Sequence, residues 1–289
     1  MIIFVKFFLI FIFSLLLSAA CSTPPRNPGE TDDLRRRAES QLEFANRQAE
    51  RGGLDAALSL ATEAKRLAVA ADDPDLRVRT GLSRGNILFS LGLVAEAEAE
   101  WRAALAESER TGNSALAAVS RIHIARGRLF SPAGGRAAAQ SVREEITANL
   151  SLLRANSHYA AFAWTVIGRA ERYLGRYAEA EAAVRRSLDI NMRNRLFELA
   201  AYDWFLIASF RSLSGNFDGA RQALESAIEL DRRVENSWGL ANDWRALGDV
   251  ESRAGNAEAA RFAYTRSAEI FRAIGDNEAA AEALSRIRE

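Results

Sequence analysis

Apolar residues recur three and four positions apart through most of this chain, the spacing that puts them on one face of an α-helix. Trp204, Ile207 and Ala208 form one such set, and Ala220, Leu224, Ala227 and Ile228 form the next. Gly215-Asn216 interrupts the pattern between them, as a helix-terminating glycine does. The arrangement repeats. Trp164, Trp204 and Trp244 stand 40 residues apart, each followed by two spacers, a branched aliphatic residue and a tiny one: Ile167-Gly168, Ile207-Ala208 and Leu247-Gly248. Turn glycines (Gly175, Gly215, Gly255) and small residues (Ala180, Ala220, Ala260) keep the same register. It extends back through Gly85, Gly92, Ala97 and Trp101, and before them Ala45, Gly52 and Ala57. A degenerate unit between them runs through Ile124, Ala125, Pro132 and Ala137, and its cluster of Gly127, Pro132, Gly134 and Gly135 predicts an irregular or hinged junction.

Each unit therefore predicts two helices, with the tiny residue of the first allowing close approach of the second. Short helix pairs bury little alone, and stacking them creates a continuous core with capped ends. The segment Asp276 to Glu289 would serve as the C-terminal cap. The register of Trp-x-x-Leu-Gly, a turn glycine, then Ala and a second Ala seven residues later resembles the tetratricopeptide repeat. The resemblance implies an all-α, right-handed α-solenoid of about six helix pairs plus a capping helix over residues 32–289. The period is 40 rather than the usual 34, and the additional residues are expected between the second helix of one unit and the first of the next, as in Leu188 to Leu199.

The resemblance also implies that first helices line a concave groove for protein or peptide ligands. Carried over by position, the lining comprises Asn46, Leu82, Asn86, Phe89, Ile122, Arg126 and Leu129 in the early units. Later units add Phe162, Thr165, Arg169, Arg172, Tyr202, Phe205, Ser209, Ser212, Asn242, Arg245, Asp249 and Ser252. Of these, Asn86, Phe89, Arg126, Phe162, Arg169, Arg172, Tyr202, Phe205, Asn242 and Arg245 are the candidate contacts. Amides can bond a peptide backbone, arginines can pair with carboxylates, and aromatics supply contact area. The tryptophans at 164, 204 and 244 are expected in the core.

The N-terminus has a different pattern. One lysine, Lys6, precedes the apolar run Phe7 to Phe13, which passes through Leu15-Leu16-Leu17 into Ser18-Ala19-Ala20-Cys21. A basic start, an apolar stretch and small residues are the layout of a secretory signal. The only cysteine lies where the small residues stop, an arrangement that resembles the lipobox of bacterial lipoproteins, with Ser18 where leucine is usual. That resemblance implies a signal peptide over residues 1–20, lipidation of Cys21 and a proline-rich spacer over 21–31. It places the protein in the bacterial cell envelope, held to the outer membrane and facing the periplasm.

Composition narrows the chemistry. The chain has 289 residues, with 38 Lys+Arg against 38 Asp+Glu, so no strongly basic face is expected for nucleic acid. Only two of the bases are lysines, Lys6 and Lys65. A single cysteine and two histidines, His123 and His158, leave no pattern for a metal or cofactor, and no phosphate-binding loop or catalytic constellation occurs. The expectation is a non-catalytic, membrane-tethered scaffold or adaptor for envelope proteins or peptides. The alternative is a small-molecule-binding or transport-associated lipoprotein with a pocket near the irregular third repeat.

Overall fold

The computed structural model describes residues 29–131, 134–155 and 157–287. The apolar start, Cys21 and most of the expected spacer lie outside the described residues. Among the described residues thirteen α-helices form six hairpins and a terminal helix. Unit 1 pairs α1 (Glu30–Glu50) with α2 (Leu54–Ala70), unit 2 pairs α3 (Pro74–Ser90) with α4 (Val94–Arg110), and unit 3 pairs α5 (Ser114–Phe130) with α6 (Arg136–Asn149). Unit 4 pairs α7 (His158–Tyr173) with α8 (Tyr177–Arg193), unit 5 pairs α9 (Phe197–Leu213) with α10 (Phe217–Arg233), and unit 6 pairs α11 (Ser237–Arg253) with α12 (Ala257–Ala273). The cap is α13 (Asn277–Ser285), opened by Asp276, whose side chain accepts from the Ala279 amide at 3.0 Å.

The 40-residue period arises from the helices and not from a long connection. In units 5 and 6 both helices run 17 residues, and residues 214–216 and 234–236 suffice as turns. The expected location of the additional residues is thus corrected: 188–193 finish α8 and 197–199 open α9. Longer helices add apolar contact along each hairpin, whereas a longer loop would only add chain entropy to lose on folding. Gly215, with φ +84°, makes the turn within unit 5. Between units the corresponding left-handed residue is Asp72, Gly112, Arg195, Glu235 or Gly275, so three non-glycine residues adopt positive φ at equivalent places.

In units 2, 4, 5 and 6 a large residue of the second helix fills the gap left by a tiny residue of the first. A Cβ on Gly85, Gly168 or Gly248 would lie 2.4, 2.5 or 2.5 Å from Trp101, Val184 or Tyr264 respectively. Ala208 and Leu224, both buried, occupy the same relative places in unit 5. Trp164, Trp204 and Trp244 are half-buried, and Trp164 and Trp204 pack against the core rather than within it. Arg186 covers Trp164 at 4.4 Å, Arg185 covers Trp204 at 5.8 Å, and Phe262 meets Trp244 edge-on at 6.0 Å. The interior beside the first two is filled by Val166, Ile167, Leu206 and Ile207.

Unit 3 departs from the pattern where expected. Gly135 (φ +56°) donates its amide to Leu129 O at 2.8 Å in the turn, and a 3-10 segment, Leu150–Leu152, follows α6. First helices of neighbouring units touch one another at the junctions α1/α3, α3/α5, α5/α7 and α9/α11, so this layer lies on the inside of the curve. The curve nearly closes. The Trp238 ring of unit 6 lies on the Gly52 backbone of unit 1, Arg51 donates to Val234 O at 3.4 Å, and Arg51 pairs with Glu198 at 3.9 Å. Burial and the adjacent Glu198 push the Glu50 carboxyl up to about 7 at this seam.

Candidate functional site: the concave groove

Seven of the candidate contacts fall in one cation–aromatic strip across units 2 to 5. Arg126 in α5 lies 4.8 Å from the Phe89 ring, 5.3 Å from Trp101 and 5.4 Å from Phe162. It also donates through Nη2 to Asn86 Oδ1 at 3.1 Å. Arg169, one unit along in α7, lies 5.0 Å from Phe130 and 5.4 Å from Tyr202. Tyr202 then stacks on Phe205 with ring centroids 6.1 Å apart. Guanidinium-to-ring distances under about 6 Å are in the attractive cation–π range. Tyr202 is exposed and the other six are half-buried.

Burial lowers the Arg126 pKa to about 9, with Arg169 adding like-charge repulsion. Burial and Arg172 lower that of Arg169 to about 10. Both remain cationic near neutral pH. His123 is buried between Trp101 and Phe162, with ring centroids 5.8 and 4.4 Å away. Its pKa is pushed well below 6.5 by burial first and by Arg126 second, so it is neutral beside the two arginines.

Arg172 lines a separate cavity of about 430 Å³ further along, with Phe205, Ser209, Ser212, Asp249, Ser252 and Arg253. There Arg253 donates to Ser212 Oγ at 2.9 Å, and Arg286 pairs with Asp249 at 2.7 Å. This cavity lies in units 4 to 6, not at the third repeat. Asn242 and Arg245 do not join the strip. Arg245 donates to Asn242 Oδ1 at 2.7 Å and to Glu282 of the cap at 2.9 Å, so these residues tie the cap to unit 6. Leu82, Ile122 and Leu129 are at most 3% exposed and belong to the core, which corrects their expected groove placement. Asn46 instead accepts from Ser83, joining units 1 and 2.

Thr165 belongs to a buried network that the sequence reading missed. Its Oγ1 donates to Asp203 Oδ1 at 3.3 Å, and Asp203 Oδ2 accepts from Ser187 Oγ at 2.9 Å and Asn191 Nδ2 at 2.8 Å. Burial outweighs these three donors and pushes Asp203 up to about 7. Forty residues on, the equivalents of Asn191 and Asp203 are Asp231 and Asp243, so the next junction buries two carboxyls together. Asn236 Nδ2 donates to Asp231 Oδ1 at 3.1 Å. Burial pushes Asp231 to about 6, and burial together with Asp231 pushes Asp243 well above the ordinary aspartate range. Asp243 Oδ2 finds no donor among the described residues, and a proton bound by the Asp231–Asp243 pair would satisfy it. The missed signal was an acidic residue recurring at a core-facing position of the repeat.

Among the described residues no group of three or more His, Cys, Asp or Glu is arranged to hold a metal ion, and no helix is long and apolar enough to cross a membrane. Tetratricopeptide-repeat family models match residues 163–192 and 198–273. Over these residues the chain carries tetratricopeptide repeats. No curated protein matches the sequence. Among solved structures, the Rap conjugation gene regulator of plasmid pLS20 in complex with the Phr* peptide is similar, at 15% identity over 87% of this chain and 67% of that one, TM-score 0.61. A Rap protein complexed with competence and sporulation factor is similar at 15% identity, over 87% and 74% of the two chains, TM-score 0.60. The apo form of RapI gives 15% identity over 92% and 91%, TM-score 0.58. At this identity the likeness is one of fold: the repeats here stack into the same kind of helical solenoid.

Proposed function

We propose that this protein is a non-catalytic scaffold whose tetratricopeptide repeats hold a segment of a partner protein along the concave face. The observation that carries this reading is the strip of Phe89, Arg126, Phe162, Arg169, Tyr202 and Phe205, contributed by the first helices of four successive units. A row of aromatic faces and cations on a rigid, curved surface matches a chain-like ligand better than a compact one. A similar fold in complex with a peptide, that of the pLS20 regulator, supports the same reading.

The proposal extends to location: the signal-like start and Cys21 support attachment to a bacterial envelope membrane through lipid, with the groove presented to envelope proteins in the periplasm. Radiolabelled palmitate incorporation that disappears in Cys21→Ser tests the anchor; equal labelling of both chains rejects it.

A photo-crosslinking amino acid placed at Tyr202 tests the groove, with the same group at exposed Phe262 as control. Protein adducts specific to position 202 are expected, and equal adducts at both positions refute the groove. A small-molecule reading would use the cavity lined by Arg172, Ser209, Ser212 and Arg253. Melting temperatures raised by metabolites but by no peptide would favour it.

A further inference from the structure

We infer that the partner segment is an acidic peptide, which brings carboxylates to Arg126 and Arg169. This rests on the groove reading above and specifies its ligand. The first ground is the contrast between these two arginines and others on the same helices and their neighbours. Arg84 pairs with Glu100, Arg128 with Glu145, Arg143 with Glu171, and Arg211 with Glu181. Arg126 and Arg169 have no carboxylate of the described residues within ion-pairing distance. Two of the acids in these pairs are engaged twice: Glu100 also holds Lys65, and Glu171 also holds Arg176.

The second ground is electrostatic. A partly buried guanidinium without a counterion is held at a net desolvation cost, and a repelling neighbour adds to it. The groups facing Arg126 are three aromatic rings, the Asn86 carbonyl, neutral His123 and the cation Arg169. Those facing Arg169 are Phe130, Tyr202, Tyr173 and the cation Arg172. Arg126 Nε is buried with no acceptor. Arg126 and Arg169 therefore share a strip in which neither has a carboxylate partner among the described residues, and a ligand carboxylate relieves both desolvation and mutual repulsion.

The third ground is geometric. Aromatic rings surround the two guanidinium carbons at 4.8 to 5.4 Å; Arg126 spends one Nη2 N–H on Asn86, while Arg169 donates to no acceptor among the described residues, which leaves its N–H groups for a carboxylate. Among the described residues the strip carries two cations, Arg126 and Arg169, and the chain as a whole is charge-balanced. A nucleic-acid track would need a longer basic stripe to follow successive phosphates. Aromatic neighbours on both sides of each arginine favour a peptide that places apolar or aromatic side chains beside its acids.

The test exposes the purified full chain and its Arg126→Gln/Arg169→Gln variant to an array of random decapeptides. The peptides retained by the parent chain should be enriched in Asp and Glu over the array background, and the enrichment should vanish with the variant. For the best peptide, Glu→Gln replacement should weaken binding by at least about tenfold in the parent and leave the variant unaffected. Circular dichroism checks that the variant keeps its helices; should it unfold, Arg169→Gln alone and the ionic-strength dependence of the parent's binding supply the same comparison. Retained peptides without acidic enrichment, or the same enrichment in the variant, overturn the acidic inference and leave the groove reading standing. Retention of no peptide overturns both. Displacement of the best peptide by a single-stranded decanucleotide that binds more tightly replaces the peptide with nucleic acid.

Discussion

Asp243→Asn should stabilise the protein increasingly as pH rises. Folding places Asp243 beside Asp231 at the junction of units 5 and 6, with residue exposures of 3% and 4%. Both carboxyls have raised folded-state values, so the folded chain binds more protons than the unfolded one above the ordinary aspartate range. Stability contributed by the pair is thus fully present below about pH 4, where both states are protonated, and is lost as pH rises. Asp231 has made its loss by about 6. Above that, each pH unit over which folded Asp243 keeps a proton that the unfolded residue has released removes about 1.4 kcal/mol. Asparagine needs no proton and can donate its amide to Asp231, much as Asn191 donates to Asp203 one junction earlier at 2.8 Å. The advantage of the variant should therefore grow above about pH 6, by about 1.4 kcal/mol for each pH unit over which folded Asp243 holds that proton. At about 2–4 °C per kcal/mol for a chain of this size, each such unit is a shift of several degrees in the difference between melting temperatures. Thermal unfolding of both chains in matched buffers reads it directly, and Asp203 titrates alike in both and cancels. Parallel melting curves above about pH 6 would refute a proton bound by the buried pair.

Gly168→Leu should destabilise by on the order of 1–3 kcal/mol or more, because its first side-chain atom alone would lie 2.5 Å from Val184 Cγ2 and 3.0 Å from Ala180 O; denaturant midpoints measure it, and an unchanged midpoint would mean the helices are not so close. Glu235→Gly should stabilise by up to about 1 kcal/mol, since residue 235 has φ +56° and glycine carries no left-handed penalty; a lower melting temperature would count against it. Trp238→Ala should open the seam between units 1 and 6, raising the radius of gyration by small-angle scattering while helix content stays constant, because the indole rests on Gly52 and few other contacts cross there. No change in scattering would show that the Arg51 contacts to Val234 and Glu198 hold the seam alone.

The architecture was legible because a repeat writes the same local rule many times. Trp164, Trp204 and Trp244 locked the register, and the tiny residues Gly85, Gly168, Ala208 and Gly248 marked the close approach within their hairpins. The same signal misplaced the additional residues of the period, since periodicity reports spacing and not whether a residue extends a helix or a loop. Seven of the groove positions converged on one strip for the same reason: equivalent places in stacked units face the same side. Asn242 and Arg245 occupy equivalent places too, yet the cap residue Glu282 engages Arg245, a contact no local pattern encodes.

What the sequence by itself determined is the helix pairs, their number and their order, because turn residues and apolar spacing act over a few positions. Tertiary structure alone decided which charges have partners. Arg126 and Arg128 are two residues apart and alike in sequence, but the twist of one helix gives Arg128 to Glu145 and turns Arg126 among aromatic rings. It also decided that Asp231 and Asp243 share a buried site, since burial and the distance between charges exist only once neighbouring units have stacked.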